Sequence, residues 1–320
     1  MKYDILAIGE LLIDMTASVV NNKKMYTPNP GGAPANFLTM AQILGISTCF
    51  VGKVGDDYFG NFLKNTLEDQ KVSIEGLKMD SRYPTTLAFV HLDKGDSSFS
   101  FYRNKTADVM LEKHDINYDL ISDTKAIYFG SLALIEEPLA GAANKFIKKA
   151  KKEDKMIFFD VNYRPTLWEK ADLARDVILK EISYADVLKL SEQELYLLTE
   201  EDSLDSALLS IKKMKVPLTL ITRGSKSTII IYKDKAIEVK TYNTEVVDTT
   251  GAGDAFFGAV SYGLINANKS INNFSELELI EIVNFANYVA SMSVRKHGGI
   301  PSFPTSSDLI DYKKGKTVDK

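Results

Sequence analysis

Short apolar runs rich in β-branched residues alternate with longer stretches of helical periodicity along most of this chain. The alternation predicts the α/β fold class, with a mainly parallel sheet covered by helices on both faces. Ligands of such folds bind beyond the carboxyl ends of the strands. We predict strands near 3–8, 48–54, 126–129, 156–160, 186–190 and 218–222, and helices near 33–44, 57–69, 137–152, 169–182, 202–214, 253–266 and 276–296.

Two insertions break this rhythm. Residues 85–92 and 97–102 alternate with period two around the turn at 93–96, a pattern that predicts a β-hairpin. Residues 11–20, followed by a turn at Asn21 and Asn22, supply further strand material. We therefore expect a second, smaller sheet built from about 11–30 and 84–104.

Composition excludes several classes of function. A formal charge of -4 and a pI of about 5.6 leave no basic footprint for nucleic acid. Cys49 is the only cysteine, so an intramolecular disulfide and a cysteine-based zinc site are excluded, and we expect it in the core. The longest apolar stretch, around 126–135, is too short to span a bilayer. A strand starts directly at the N-terminus without a targeting pattern, which predicts a cytoplasmic protein that does not engage a membrane.

The segment 248–254 reads Asp-Thr-Thr-Gly-Ala-Gly-Asp and lies between a strand-like run and an apolar helical run. Its small residues let the backbone approach a ligand, and the N–H groups and dipole at a helix start attract a phosphate. Asp254 would stand in the first turn of that helix, where its carboxylate could take a proton from an attacking hydroxyl. A lone Gly-x-Gly-Asp would more simply help a helix to start. The full seven-residue order favours the catalytic interpretation.

A second turn, at residues 31–36, reads Gly-Gly-Ala-Pro-Ala-Asn and also precedes a helical run. Exposed amides and Asn36 at a helix start can hydrogen-bond a polyol, although a Gly-Gly pair alone is usually only a turn. Asp14 follows the first strand among apolar residues, where a carboxylate is costly unless paired, for instance by sugar hydroxyls. Arg103 and Arg164 also follow strands, and any of these charges could instead be solvated in a loop.

These motifs together resemble the PfkB (ribokinase-like) family of carbohydrate kinases. The C-terminal signature of that family is similar to DTTGAGDAFFGAV, and its sugar-binding motif is similar to GGAPAN. The blocks GELLID, FYRN-x-x-AD, FD-x-NYRP-x-LW and GGIPSFPT further resemble bacterial and plant fructokinases. The resemblance covers nearly the whole chain. It implies a ribokinase-like three-layer fold, one kinase domain over residues 1–320 with the small sheet as a lid, and ATP-dependent phosphorylation of a sugar, most simply the 6-hydroxyl of D-fructose.

The resemblance also implies roles for individual residues. Catalysis would use Asp254 as the base and the anion hole formed by Gly251, Ala252 and Gly253. The sugar would be bound by Asp14, Gly31, Gly32, Asn36, Arg103, Arg164 and Asp254. The nucleotide would be bound by Lys189, Ser191, Thr222, Gly224, Ser225, Gly251, Gly253 and Asn287.

The phosphates would be held without a P-loop, because the chain contains no GxxxxGK[ST] and neither an HRD nor a DFG motif. The segment 222–225 resembles the Thr-x-Gly nucleotide loop of the family, with Arg223 in place of a commonly apolar residue. By itself it reads as an ordinary strand-ending turn.

Metal binding is expected at two places. Ser191 and Glu194 resemble the Asn-x-x-Glu motif linked to Mg²⁺, although Ser-x-x-Glu is also a helix capping box. A monovalent cation, such as K⁺, often lies beside the anion hole of the family. Its ligand pattern overlies Asp248, Thr250, Ser293, Lys296, Gly298 and Ser302. The loop 298–301 could equally close the nucleotide pocket, and the two interpretations are compatible.

Other functions remain open at this stage. The nearest is 2-keto-3-deoxygluconate kinase, since the Arg103 and Arg164 regions are shared. A ribose or nucleoside kinase would leave the fructokinase-like blocks unexplained, and a catalytically silent sugar-binding regulator would not need Asp254 with its glycine turn. A nucleotide-dependent oxidoreductase is disfavoured because no GxGxxG follows the first strand. Members of the family often dimerise through their lids, so a homodimer is among the expectations.

Overall fold

A computed structural model describes residues 1–21, 23–93, 96–309 and 312 of the chain. The strands are β1 Tyr3–Ile8, β2 Leu12–Val20, β3 Lys23–Gly31, β4 Thr48–Gly55, β5 Ser73–Asp80, β6 Leu87–Asp93, β7 Asp96–Tyr102, β8 Thr124–Gly130, β9 Met156–Asp160, β10 Val187–Ser191, β11 Leu218–Thr222, β12 Ser227–Tyr232 and β13 Lys235–Lys240. The α-helices are α1 Ala33–Ile43, α2 Tyr58–Asp69, α3 Asp119–Ser122, α4 Leu139–Lys152, α5 Ala171–Ile182, α6 Glu192–Thr199, α7 Leu204–Lys212, α8 Ala252–Asn266 and α9 Glu276–Ser293.

The central sheet has nine strands in the order β13-β12-β11-β10-β9-β8-β1-β4-β5. The seven strands from β11 to β5 are parallel, and β12 and β13 add to one edge in antiparallel fashion. The predicted, mainly parallel sheet is confirmed. The sequence reading did not identify β5 or β12. For β12, the antiparallel return follows a tight turn, so no helix separates it from β11.

Helices cover both faces of this sheet. Alternation along β1 illustrates the reason, because Ile5 and Ala7 pack with α1, α2, α8 and α9 while Leu6 and Ile8 pack with helices α3 to α7. Strands buried on both faces are continuously apolar, as parallel strands in a three-layer fold require. Cys49 is buried on β4, as expected.

A second sheet has the order β3-β2-β6-β7. It consists of two antiparallel hairpins joined by a parallel pairing of β2 with β6. The predicted hairpin of β6 and β7 is therefore present, and the strand material predicted near 11–20 forms a second hairpin with β3. The turn residues Asn22, Lys94 and Gly95 lie outside the described part of the chain. Leu11, which directly precedes β2, and Ile13 within it are buried in the same cluster as residues of α1, so this sheet is attached to the main core beside the carboxyl end of β1.

Helix ends depart from the predicted bounds in ways that local chemistry explains. The helix expected from 202 begins at Leu204 because the Ser203 hydroxyl accepts the N–H of Ser206. The separate helix α6 precedes it and ends at Thr199, before Glu200, which adopts a left-handed conformation. The helix expected to reach 296 ends at Ser293, before the loop that contacts the glycine turn.

Among the described residues, no helix combines the length and apolar character needed to cross a bilayer.

Candidate active site

The glycine turn lies where the sequence predicts it, at the start of helix α8. Gly251 has φ 77°, a left-handed conformation that favours glycine, and a Cβ there would lie 3.0 Å from the Gly299 Cα. Ala252 then begins the helix, and Asp254 stands in its first turn. The Ala252 N–H donates to the Thr249 carbonyl over 3.2 Å, and the start of α8 presents the positive end of the helix dipole, which favours an anion.

Asp254 is tied to the other predicted motif. The Asn36 Nδ2 donates to the Asp254 Oδ2 over 2.8 Å, so two turns that are distant in sequence meet in one site. Burial raises the pKa of Asp254, while the Lys189 ammonium and the Asn36 hydrogen bond act in the opposite direction. The carboxylate is thus enclosed yet stabilised in its charged form by two neighbours.

A cavity of about 590 Å³ opens in front of Asp254. It lies beyond the carboxyl ends of β1, β9 and β10 and beside the second sheet, the position expected for a ligand of this fold class. The predicted residues that line it are Asp14, Gly32, Asn36, Arg164, Lys189, Ser191, Glu194, Thr222, Thr250, Gly251, Gly253 and Asp254. Residues that lie between Glu10 and Asp254 in the sequence therefore meet in one pocket.

Lys189 and Asp160 form a buried ion pair at the floor of this cavity. The Lys189 Nζ lies 3.0 Å from both oxygens of Asp160. Burial by itself would lower the pKa of Lys189, but the carboxylates of Asp160, Glu194 and Asp254 raise it, so the ammonium stays charged. A Cβ at Gly253 would lie 2.8 Å from this Nζ, which places a positive charge directly beside the glycine turn.

Asp14 faces the same cavity from β2. Burial raises its pKa to about 7, Arg164 opposes the shift, and the nearby Asp254 adds to it. Gly31 does not line the cavity, but a Cβ there would lie 2.2 Å from the Asp14 Oδ2, so only glycine leaves room for this carboxyl group. Gly32 has φ 108° and lies on the Glu10 backbone.

The two predicted arginines have different positions. Arg164 lines the cavity. Arg103 does not line it: its Nε donates to the Asp108 Oδ2 over 2.7 Å, and its Nη2 donates to the Leu132 carbonyl over 3.3 Å. Arg103 is paired with Asp108 because a buried guanidinium needs a carboxylate partner. Its bond to Leu132, which lines the cavity, lets it support the cavity wall from behind. A direct contact of Arg103 with a sugar stays a prediction.

A second cavity of about 410 Å³ adjoins the first. Gly224, Ser225, Ala252 and Asn287 line it, and Thr222, Thr249 and Gly253 line both cavities. Asn287 is held there by accepting from the Thr228 hydroxyl over 2.8 Å. The two cavities therefore meet at the glycine turn.

Arg223, the unusual residue of the 222–225 turn, is turned towards protein carboxylates. Its Nε lies 3.1 Å from the Glu192 Oε1, and its Nη1 lies 2.8 Å from the Glu238 Oε1. The guanidinium therefore links the turn after β11 to the first residue of α6, the helix that carries Glu194.

The capping interpretation of Ser191 and Glu194 is confirmed. The Ser191 hydroxyl accepts the N–H of Glu194, and the Glu194 Oε2 accepts the N–H of Ser191 over 2.6 Å. The Glu194 Oε1 also accepts the N–H of Tyr163 over 2.6 Å. These bonds do not exclude a metal-linked role, since each carboxylate oxygen has a second acceptor site.

Of the residues predicted to bind a monovalent cation, Thr250 lines the first cavity, and the others line neither cavity: Asp248, Ser293, Lys296, Gly298 and Ser302. The Asp248 carboxylate accepts the N–H groups of Thr250 and Gly298, each over 2.9 Å. Burial would raise the pKa of Asp248, but these hydrogen bonds hold it below its usual value. Ser293 and Ser302 donate to the backbone carbonyls of Ala290 and Gly299. The binding of a cation by these residues, and by Lys296, stays a prediction.

Several cavity residues were not assigned a role from the sequence. They are Glu10, Leu12, Ala33, Phe101, Leu132, Asn162, Tyr163, Pro165, Thr166 and Thr249. For Glu10 a signal existed, because it directly follows the first strand next to Gly9. Leu12, Ala33 and Phe101 belong to β2, α1 and β7, and the remaining residues belong to connecting segments. The directions of all these side chains depend on tertiary contacts. No group of three or more histidine, cysteine or acidic side chains suited to a metal occurs within the described ranges.

Comparison with known proteins supports this architecture. The profile described as "pfkB family carbohydrate kinase" matches residues 2–306. Probable fructokinase-4 of Arabidopsis thaliana is 36% identical over 317 residues, covering 97% of each chain. The crystal structure of fructokinase with bound ATP from Xylella fastidiosa aligns with a TM-score of 0.89 and 29% identity over 99% of this chain and 100% of that one. The fructokinase of Vibrio cholerae O395 in its fructose-, ADP- and calcium-bound form aligns with a TM-score of 0.88 and 28% identity over 98% and 99%. The predicted ribokinase-like three-layer fold is confirmed, and the chain belongs to the pfkB family of carbohydrate kinases.

Proposed function

We propose that the protein is an ATP-dependent fructokinase that phosphorylates the 6-hydroxyl of D-fructose. The observation that carries the proposal is the position of Asp254 where two cavities meet at Gly253. One cavity is polar and suits a sugar. The other is lined by the 222–225 turn and suits a nucleotide. Similar proteins named fructokinase support the same assignment.

In the proposed reaction, the Asp254 carboxylate accepts the proton of the sugar hydroxyl as its oxygen attacks the γ-phosphorus and the bond to the β-phosphate oxygen breaks. The amides of residues 251–253 and the Lys189 ammonium would stabilise the phosphate charge, since preorganised donors lower the barrier where charge develops. Asn36 holds the base in place and favours its ionised form.

The pairing of Arg103 with Asp108 favours fructose over a sugar acid as the substrate. A carboxylate ligand needs a guanidinium that is not already paired. Arg103 is committed to Asp108, and the cavity is lined by the acidic side chains of Glu10, Asp14 and Asp254. A neutral polyol can meet the oxygens of Asp14 and Asp254 with its hydroxyls, whereas 2-keto-3-deoxygluconate would bring a further negative charge.

The residues present fit Mg²⁺ as it is used with nucleotides. This ion keeps several waters and binds few protein groups, so Glu194 together with the phosphates of ATP would suffice, and the ion would neutralise phosphate charge. K⁺ would be held near Asp248 and Thr250, where it would orient the glycine turn.

The proposal also includes the location and the assembly of the protein. Catalysis in the cytoplasm, no role for nucleic acid or a membrane, and a homodimer through the second sheet follow from composition and family resemblance. Met25 and Tyr102 on that sheet are 52% and 66% exposed, and a dimer contact could cover them.

A substrate panel tests the proposal. Purified protein with ATP and Mg²⁺ is assayed against fructose, 2-keto-3-deoxygluconate, ribose, glucose and adenosine. We expect the highest kcat/KM with fructose and a loss of kcat of roughly 10²-fold in Asp254→Asn, the scale of a lost general base. If kcat/KM is higher for 2-keto-3-deoxygluconate than for fructose, and Arg164→Ala abolishes that activity, the sugar acid is the substrate. Near-normal turnover by Asp254→Asn would refute its role as the base.

A further inference from the structure

Glu10 is a buried carboxylate in the wall of the sugar cavity. It is 2% exposed and follows strand β1 after Gly9. Its Oε1 accepts the N–H of Ala33 over 3.0 Å. Helix α1 begins at Ala33, and its own N-cap residue, Gly32, provides no side-chain cap. Glu10 therefore supplies, from a different element, the acceptor that the first turn of α1 lacks.

Close packing makes this cap a positional constraint. A Cβ at Gly32 would lie 2.5 Å from the Glu10 carbonyl oxygen, so the start of α1 lies directly on the Glu10 backbone. One turn further along, Asn36 donates to the Asp254 Oδ2 over 2.8 Å. A displacement of the start of α1 would therefore move the amide that orients the proposed base.

The second carboxylate oxygen of Glu10 is buried, and the charge of Arg103 stabilises its ionised form. Its Oε2 is buried without a hydrogen-bond partner in the described part of the chain, and Arg103 supplies the main opposing charge. Arg103 is held by Asp108, which also accepts from the Thr106 hydroxyl over 2.8 Å. Arg103 directly follows β7. Glu10 thus lies between the end of the second sheet and the start of α1.

We propose that Glu10 is a positioning residue for phosphoryl transfer, an inference that rests on the proposed kinase function. It holds the start of α1, and through Asn36 the carboxylate of Asp254, at a set distance from the second sheet. Because Oε2 is closed off from solvent and Oε1 is bonded to Ala33, Glu10 acts through these neighbours without touching the substrate.

Three substitutions separate length from charge. Glu10→Gln keeps the acceptor that reaches Ala33 and removes the charge. Glu10→Asp keeps the charge but is one methylene too short, and Glu10→Ala removes both. Glu181 is the matched control, since it is also 2% exposed with a buried Oε2 that lacks a partner, but it lies on α5 away from the cavities. Steady-state kcat, the KM for each substrate and the thermal midpoint are measured for these variants and for Glu181→Gln.

We expect Glu10→Asp and Glu10→Ala to lose kcat by roughly 10- to 100-fold, the cost of a small misplacement of reacting groups, with the KM for ATP changed less than about twofold. Glu10→Gln should recover most of kcat, and Glu181→Gln should change only the midpoint. The inference is overturned if Glu10→Asp is more active than Glu10→Gln, or if all the variants lose stability with unchanged kcat. If Glu10→Ala does not fold, the comparison of Gln with Asp still decides. A wild-type protein that prefers another sugar would revise the proposed substrate, and the same comparison would then be made on that sugar.

Discussion

Asp14 shows at the scale of one residue how a binding group can oppose stability. Asp14 is a buried residue, 7% exposed, and burial raises the pKa of its carboxyl group to about 7, well above the value of about 3.9 expected in an unfolded chain. Between these two values the folded state holds a proton that the unfolded state has released. Stability contributed by this group therefore falls as the pH rises from about 4 to about 7, and the loss is complete above the folded pKa.

The first prediction follows from that sign. Asp14→Asn cannot ionise, so its free energy of unfolding should exceed that of the wild type by about 1–3 kcal/mol at pH 8, the scale of an uncompensated buried polar group, and by less at pH 5. Fructose affinity should fall, because a hydroxyl loses its carboxylate acceptor. Denaturant unfolding at the two pH values and the KM for fructose measure both effects. Asp202→Asn, in an exposed loop, is the control, and a stability difference independent of pH would contradict the account.

Helix α6 shows at the scale of an element how one carboxylate can have two functions. Glu194 closes the capping box with Ser191 and also accepts the Tyr163 N–H, which joins α6 to the loop that carries Arg164. Helix α9 has the same capping box in Ser275 and Glu278, at an exposed position away from both cavities. The chain therefore contains its own control for capping without a metal.

The second prediction compares the two boxes. Glu194→Gln should raise the Mg²⁺ concentration that gives half-maximal activity, because a neutral amide attracts the hydrated ion less than a carboxylate does. Glu278→Gln should change helix stability only slightly, because Gln can also close a capping box, and should leave the Mg²⁺ titration unchanged. An unchanged titration in Glu194→Gln would leave capping as its whole function.

At the scale of the whole molecule, the two sheets are attached to each other through shared apolar residues. Leu11 and Ile13 are buried in the cluster that also contains Phe37 and Phe257 from the layer of α1 and α8. The second sheet therefore shares the apolar core of the main sheet through these residues, which supports the expectation of one domain. The same attachment places the sheet beside the sugar cavity, where it could act as a lid.

The third prediction concerns this attachment. Thermal unfolding followed by calorimetry should show one cooperative transition, because neither sheet can lose the shared apolar contacts alone. Fructose with a non-hydrolysed ATP analogue should also slow amide hydrogen exchange in β2 and β6, if the second sheet closes on the sugar. Two separate transitions would refute the single domain, and unchanged exchange in these strands would refute the lid.

The sequence by itself determined the layered fold and the two glycine turns. Hydrophobic periodicity and turn chemistry are local, so they can be read directly, as with the strands near residues 3–8 and 218–222 and the helix predicted from 253, which begins at Ala252. The tertiary structure decided which charges face the ligand. Arg103 is paired with Asp108 behind the wall, Lys189 with Asp160, and Glu10 with the start of α1. These assignments could not be read from the chain, because the free energy of a buried charge depends on partners that are distant in sequence and that only folding brings within hydrogen-bond distance.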